Sequence, residues 1–316
     1  MPEKPSQPTS RPGSPLRSDQ PQIVPKGKLS QEFRILEPEE LERSGLRKSK
    51  DKSQERNKET GLSLEKAQEI MKTDFLGPEA VEKTLGFKPE VIPTIQFSEY
   101  DLEKAKELAQ MLVLRVDQTS DGQPLTMKKM IGMLKGKIKK EGKGAIILDP
   151  EWDDKEEFFN KDTPTLSWAL VSKELIPDST NKNYLQQTEQ IVQYLTDQVF
   201  KDIEIPAEYQ EAIDEFEAQK AEITASSWEE AARILSNSKI NQLTRQSTVD
   251  ALYDWLMYLQ INQARLMESQ FVCTYSRSSV GKIVGVGYFG SFGADVNGLV
   301  PDFTDNDLGV AFSRSL

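Results

Sequence analysis

FVCTYSRSSVGKIVGVGYFGSFGADVNGLV, residues 271–300, sets short runs of Val, Ile, Phe and Tyr between Gly, Ser and Asn, and its pattern is not helical. Short alternating runs of β-branched and aromatic residues bounded by Gly, Ser and Asp read as strands joined by turns. FVCTYS, KIVGVGYFG and ADVNGLV are three of them, and LGVAFSRS near the end of the chain is a fourth. The texture changes at about Ser269, so residues 269–316 are expected to form a small antiparallel sheet. Along the second strand, Ile283, Gly285, Gly287 and Phe289 alternate with Val284, Val286 and Tyr288, which predicts that one set packs while the other faces out.

Upstream of this segment the apolar period is helical. Ser63 is placed to cap a helix carrying Leu64, Ala67, Ile70 and Met71 on one side. A connector punctuated by Gly77, Pro78, Gly86, Pro89 and Pro93 follows. Ser98 with Asp101 then makes a capping-box start to a stripe of Leu102, Ala105, Leu108, Ala109 and Leu112. From Thr126 a helix has Met127, Met130, Ile131, Leu134 and Ile138 on one face and Lys128, Lys129, Lys135, Lys137, Lys139 and Lys140 on the other. Ala145 to Leu148 reads as a short buried strand stopped by Asp149-Pro150, and residues 163–177 fit a strand or a helix equally. Residues 184–200, a segment opening at Pro206, another capped by Ser227, and ALYDWLMYLQINQARLM after Ser247 or Thr248 are all helical, with Trp255 and Tyr258 as core.

The first 61 residues differ from both regions. They open with Pro2, Pro5, Pro8, Pro12, Pro15, Pro21 and Pro25, are rich in Ser, Gln, Lys and Glu, and cannot bury enough apolar surface to offset chain entropy. They are expected to be a disordered arm, with a locally basic run at residues 47–58. The fold class is therefore α+β. It comprises an arm over 1–61, a short helix and connector over 62–97, a mainly helical body over 98–268, and a β-rich segment over 269–316.

Composition excludes much chemistry. In 316 residues there is no histidine, and Cys273 is the only cysteine. Histidine acid/base catalysis, an intrachain disulfide and a thiolate zinc site are therefore all ruled out within the chain. The net charge of −11 and pI near 4.9 disfavour nucleic acid and anionic membranes. No apolar run approaches the roughly 20 residues of a membrane span, and residues 1–30 hold no apolar signal core, so the expected compartment is the cytosol. Asp153 with Asp154 and Glu156 with Glu157 are paired carboxylates in a charged segment and are assigned no catalysis. Gly285-Val286-Gly287-Tyr288-Phe289-Gly290 matches a dinucleotide fingerprint, but that motif needs a following helix to hold the pyrophosphate, and SFGADVNG is not one. Asp302, Asp305 and Asp307 offer oxygen ligands to calcium, but not in EF-hand order, and read better as a solvated turn. No cofactor and no metal are expected, and the chain reads as a binding protein rather than an enzyme.

One likeness sharpens that reading. Ser276-Arg277-Ser278-Ser279, Val286-Gly287, Phe289, Ser291, Gly293-Ala294, Val296, Pro301 and the closing Leu308-Gly309-Val310-Ala311-Phe312-Ser313-Arg314-Ser315 resemble the variable C-terminal segment of target proteins of bacterial diversity-generating retroelements. The scaffold of those proteins is C-type-lectin-like, and a reverse transcriptase rewrites adenines in one stretch of the gene while the framework stays fixed. Where related segments read Trp-Thr-Ser-Ser before the Arg, this chain has Cys273-Thr274-Tyr275-Ser276. Leu166-Ser167-Trp168-Ala169-Leu170 and Tyr184-Leu185-Gln186-Gln187 are similar to uncharacterised proteins of candidate-phylum bacteria. The resemblance implies a non-catalytic, diversified ligand-binding surface facing a protein or other macromolecule.

Tyr288, Phe292, Asp295, Asn297, Leu299, Asp302, Phe303, Thr304, Asp305, Asn306 and Asp307 are the candidates for display, and Val286, Phe289, Val296, Val310 and Phe312 for the packed framework. Tyr, Phe and Asn among Gly, Ser and Asp is also the composition of a paratope. The alternative is an interaction or scaffold protein whose terminal sheet is purely structural.

Overall fold

The computed structural model describes residues 61–149 and 154–315. The expected disordered arm lies outside the described residues except for Gly61, and so does Asp153. The chain is α+β, with helices packed around two four-stranded sheets.

Most helices start where the caps predict. Helix α1 (Leu64–Met71) begins with the Ser63 hydroxyl accepting from the Lys66 amide at 3.2 Å. After strand β1 (Phe75–Leu76) comes α2 (Pro78–Leu85), in a stretch expected to be only a connector. Its signals are a proline at the first helical position and Gly86 closing it at φ 84°, conformations these two residues favour. Helix α3 (Glu99–Glu107) has the Ser98/Asp101 capping box. It ends before the expected stripe does, because Gln110–Arg115 is strand β2, buried at every position. A continuous apolar run buried on both faces has no period to separate strand from helix, and Leu112 belongs to the strand and not to the helical stripe.

Helix α4 (Met127–Lys140) buries Met127, Met130, Leu134 and Ile138. A single turn, α5 (Glu157–Asn160), precedes β3 (Ser167–Ser172), which settles the ambiguous 163–177 stretch as strand. Helices α6 (Tyr184–Tyr194), α7 (Ala207–Ala225), α8 (Trp228–Asn237), α9 (Lys239–Thr244) and α10 (Thr248–Asn262) follow. The last buries 12 of its 15 residues. A helix buried all round belongs in the interior, and α10 shares one core with residues of both sheets.

Strands β4 (Phe271–Arg277), β5 (Ile283–Gly290) and β6 (Gly293–Leu299) form the expected antiparallel meander. The fourth expected strand is not a strand of that meander. Its first part, β7 (Leu308–Gly309), runs parallel to β4, so the sheet β6-β5-β4-β7 is mixed rather than antiparallel. Its last part, β8 (Ser313–Ser315), crosses to pair antiparallel with β3, completing the sheet β1-β2-β3-β8. Val310, Ala311 and Phe312, all buried, make the crossing, and the Ile176 and Ser172 amides bond to the Val310 and Phe312 carbonyls.

The expected in/out alternation of β5 does not hold, since every residue from Ile283 to Gly287 is buried. One face of the sheet (Val272, Val284, Val286, Val296) joins the core with α10, and the other (Phe271, Cys273, Ile283) joins a second core with α6 to α9. With helices on both sides, only Tyr288 emerges.

A buried ion pair ties these parts together. Arg115 on β2 bonds Asp254 on α10 through both Nε (3.1 Å) and Nη2 (2.6 Å), and its Nη2 also reaches the Ser313 hydroxyl on β8 at 3.0 Å. Gln246 adds a bond to Asp254 at 2.6 Å, and Asp250 lies 3.6 Å from the guanidinium. Burial works against the Arg115 charge, but Asp250 and Asp254 outweigh it and hold its pKa above the ordinary arginine value. Asp254→Ala would take both hydrogen-bonding carboxylate oxygens from the buried guanidinium and leave it only Asp250 at 3.6 Å, and the expected cost is about 3–5 kcal/mol of unfolding free energy in a urea titration. A loss below about 1 kcal/mol would mean the guanidinium is solvated after all.

Candidate functional site

The open part of the molecule lies along β6 and the loop from 300 to 307. In register, Asp295 faces Gly287, Asn297 faces Gly285 and Leu299 faces Ile283. Gly285 and Gly287 carry no side chain, so the ring of Phe271 on β4 lies across them. A Cβ at Gly285 would overlap the Phe271 ring and crowd Leu299, and one at Gly287 would overlap the Phe271 backbone and ring. The apparent dinucleotide fingerprint is thus a seat for a phenyl ring inside a strand.

Tyr288 comes next, and its backbone is unusual. The β5–β6 register slips between Gly287 and Gly290, and Tyr288 sits in that irregularity at φ 46°. A bulky residue at positive φ is an outlier costing about 1–3 kcal/mol unless its surroundings over-determine it. Here they do. The Tyr288 amide donates to the Gln270 carbonyl at 2.9 Å, its ring packs on Phe271 with centroids 5.6 Å apart, and its hydroxyl donates to the Asp307 carboxylate. The phenol is pushed up to about 12 by that bond to Asp307, by desolvation, and by the charges of Asp307, Asp305 and Asp295 around it. Bulges turn side chains to new directions, and this one turns Tyr288 out of a buried strand, leaving it 41% exposed.

The loop after β6 is held rather than loose. The Pro301, Asp305 and Asp307 carbonyls accept from the amides of Tyr184, Asn181 and Phe271. Asp302, Phe303, Thr304, Asp305 and Asn306 are exposed on it, and Asp307 is half-buried. Asn297 is exposed and donates to Asp295 at 2.9 Å. Asp295 is half-buried, and desolvation raises its carboxyl above the usual range, with the charge of Asp149 adding to the effect. Phe292 stands 80% exposed at the β5–β6 turn.

The structure therefore joins Tyr288, Asp295, Asn297, Asp305 and Asp307 into one neighbourhood. Phe292 sits apart at the hairpin tip, and Leu299 is half-buried against the second core. Asp302, Asp305 and Asp307 do not gather around a point: among the described residues no group of three or more His, Cys, Asp or Glu side chains is arranged to hold a metal ion.

Sequence reasoning missed the rim. Residues 145–148, expected as a buried strand, make a single parallel bridge from Ile147 to Ala294 at the edge of β6. Ile146 and Ile147 are buried, while Leu148, next in register to Asp295, is 53% exposed. No local signal marks a contact between segments so far apart in the chain. Glu156, passed over as one of a carboxylate pair, is buried and accepts from the amide (2.6 Å) and hydroxyl (2.9 Å) of Ser279, fixing the β4–β5 turn. A concavity of about 590 Å³ between Leu64, Phe75, Pro78, Ile92 and Ile261 involves no residue of the C-terminal sheet.

No protein-family model, curated protein or solved structure matches this chain. Among the described residues no helix is long and apolar enough to cross a membrane.

The neighbouring positions 288 and 289 should behave in opposite ways. Phe289 is fully buried and stacks on Trp255 at 5.9 Å, so Phe289→Ala is expected to cost about 3–5 kcal/mol. Tyr288→Gly relieves the positive φ and should leave stability within about 1 kcal/mol of the parent. Urea unfolding of both variants decides it, and equal losses would make Tyr288 a framework residue.

Proposed function

We propose that this chain is a non-catalytic binding protein that displays a ligand-binding face on its C-terminal sheet, on a lectin-like scaffold diversified as in the retroelement target proteins its last segment resembles. The observation that carries the reading is Tyr288. A strained backbone persists where the surroundings enforce it, and strain of this kind concentrates at functional positions. Here it brings an aromatic side chain out of a strand whose preceding residues, Ile283 to Gly287, are all buried.

The surroundings support the same reading. Aromatic and small polar side chains are exposed around Tyr288, on a loop pinned at three carbonyls and a sheet packed on both sides, so the face is preorganised. Rigid aromatics among adaptable polar groups are what a binding surface uses to hold a macromolecule at low entropic cost. The same reading has the protein working in the cytoplasm, in keeping with a single, buried, free cysteine. The alternative, an interaction scaffold with a purely structural sheet, fits the burial of β4 and β5 but not the open side of β6.

The test is sequencing of the locus. The expected result is a second, near-identical copy of the stretch encoding residues 283–307, differing at adenines and lying beside a reverse transcriptase gene. A single invariant copy with no such neighbour would refute diversification and leave the scaffold reading.

A further inference from the structure

The charge of the open face is one-sided. Asp149, Asp295, Asp302, Asp305 and Asp307 lie on or beside it, and among the described residues none of these five carboxylates forms an ion pair with Lys or Arg. Glu204 and Glu208 are exposed without an ion pair as well, so what sets this face apart is the aromatic ring that its carboxylates surround. Among the carboxylates sits the exposed Tyr288 ring, with Phe303 and Leu148 as further exposed apolar groups. A π-face ringed by unpaired carboxylates is complementary to an ammonium or guanidinium group, which gains cation–π attraction from the ring and charge-assisted hydrogen bonds from the oxygens. A neutral or acidic occupant would leave those carboxylates to be desolvated without compensation.

We infer that the face formed by Tyr288, Asp295, Asp305 and Asp307 docks a basic segment of a partner protein, with a Lys or Arg side chain seated against the Tyr288 ring. This deepens, and rests on, the reading of the sheet as a displayed binding face. The apolar rim makes the occupant a peptide chain rather than a bare cation, because Phe303 and Leu148 offer nothing to an ion but do offer contact to the stem of a long basic side chain.

The probe is fluorescein-labelled octalysine, titrated into the full chain and followed by anisotropy, with octaglutamate as the negative control. Three variants accompany the parent: Tyr288→Ala, the face pair Asp295→Asn with Asp305→Asn, and a charge-matched control pair on α7 and its approach, Glu204→Gln with Glu208→Gln, both exposed. The expected result is weakening of octalysine binding by at least about tenfold in the first two, the scale of a lost anchor, and by less than about twofold in the control pair. Melting curves of the variants show that each is folded. Equal weakening in the control pair would mean diffuse attraction to an acidic chain and would overturn the proposal. So would indifference to Tyr288→Ala, or displacement of octalysine by equimolar calcium, which would make the face an ion site. Each of those results leaves the display reading intact, since that reading is decided by the locus and not by octalysine.

Discussion

Arg115 carries a full charge buried between β2, α10 and β8, and the fold is arranged so that this charge is never alone. Its partners come from residues 254 and 313, so the pair closes only when the interior helix and the last strand have both arrived. Removing Asp254 takes away the carboxylate that holds the guanidinium through two hydrogen bonds and leaves it only Asp250 at 3.6 Å, and an imperfectly paired interior charge is among the costliest defects a core can hold. The closing strand is bound a second time by Arg314, whose guanidinium lies over the Phe97 and Phe200 rings and reaches Asp101 at 2.5 Å. The C-terminal run is therefore a clasp between the two sheets.

The open face depends on that clasp. Residues 300–307 lie between β6 and the run that crosses to β3, and their carbonyls are caught by Asn181, Tyr184 and Phe271. Below them, two glycines seat the Phe271 ring, the ring backs Tyr288, and the bulge turns Tyr288 outward. Side chains on the outside of such a platform can change without touching the core, whereas Phe289, one residue along, cannot.

Much of the fold was legible because it is written locally. Ser63, Ser98 with Asp101, Thr126, Ser227 and Ser247 cap helices where their spacing says they should, and the change of texture near Ser269 marks the meander. What failed depended on distant partners. Gln110–Arg115 is a strand because another strand pairs with it on each side, and nothing within its four apolar residues, Met111 to Leu114, says so. The alternation of β5 lost its meaning because helices cover both faces, and LGVAFSRS was divided between two sheets by contacts to Ser179, Val171 and Phe271. Helix α2 is a different case: Pro78 and Gly86 can break structure or start and stop a helix, and here they do the second. At the face, the exposed residues of the 300–307 loop were legible from composition. The strain at Tyr288, its bond to Asp307 and the rim at Leu148 were not, since each belongs to tertiary geometry.

The central claim is that the face and its framework are separable. The most direct measurement is a pair of codon libraries, one randomised at Phe292, Asn297, Phe303 and Asn306, the other at Val286, Phe289, Val296, Val310 and Phe312, both sorted for protease resistance. Most members of the first library should survive, because surface changes away from special features usually shift stability by no more than about 0.5 kcal/mol, while few members of the second should. Equal survival, or a face library that fails as the framework library does, would contradict the account.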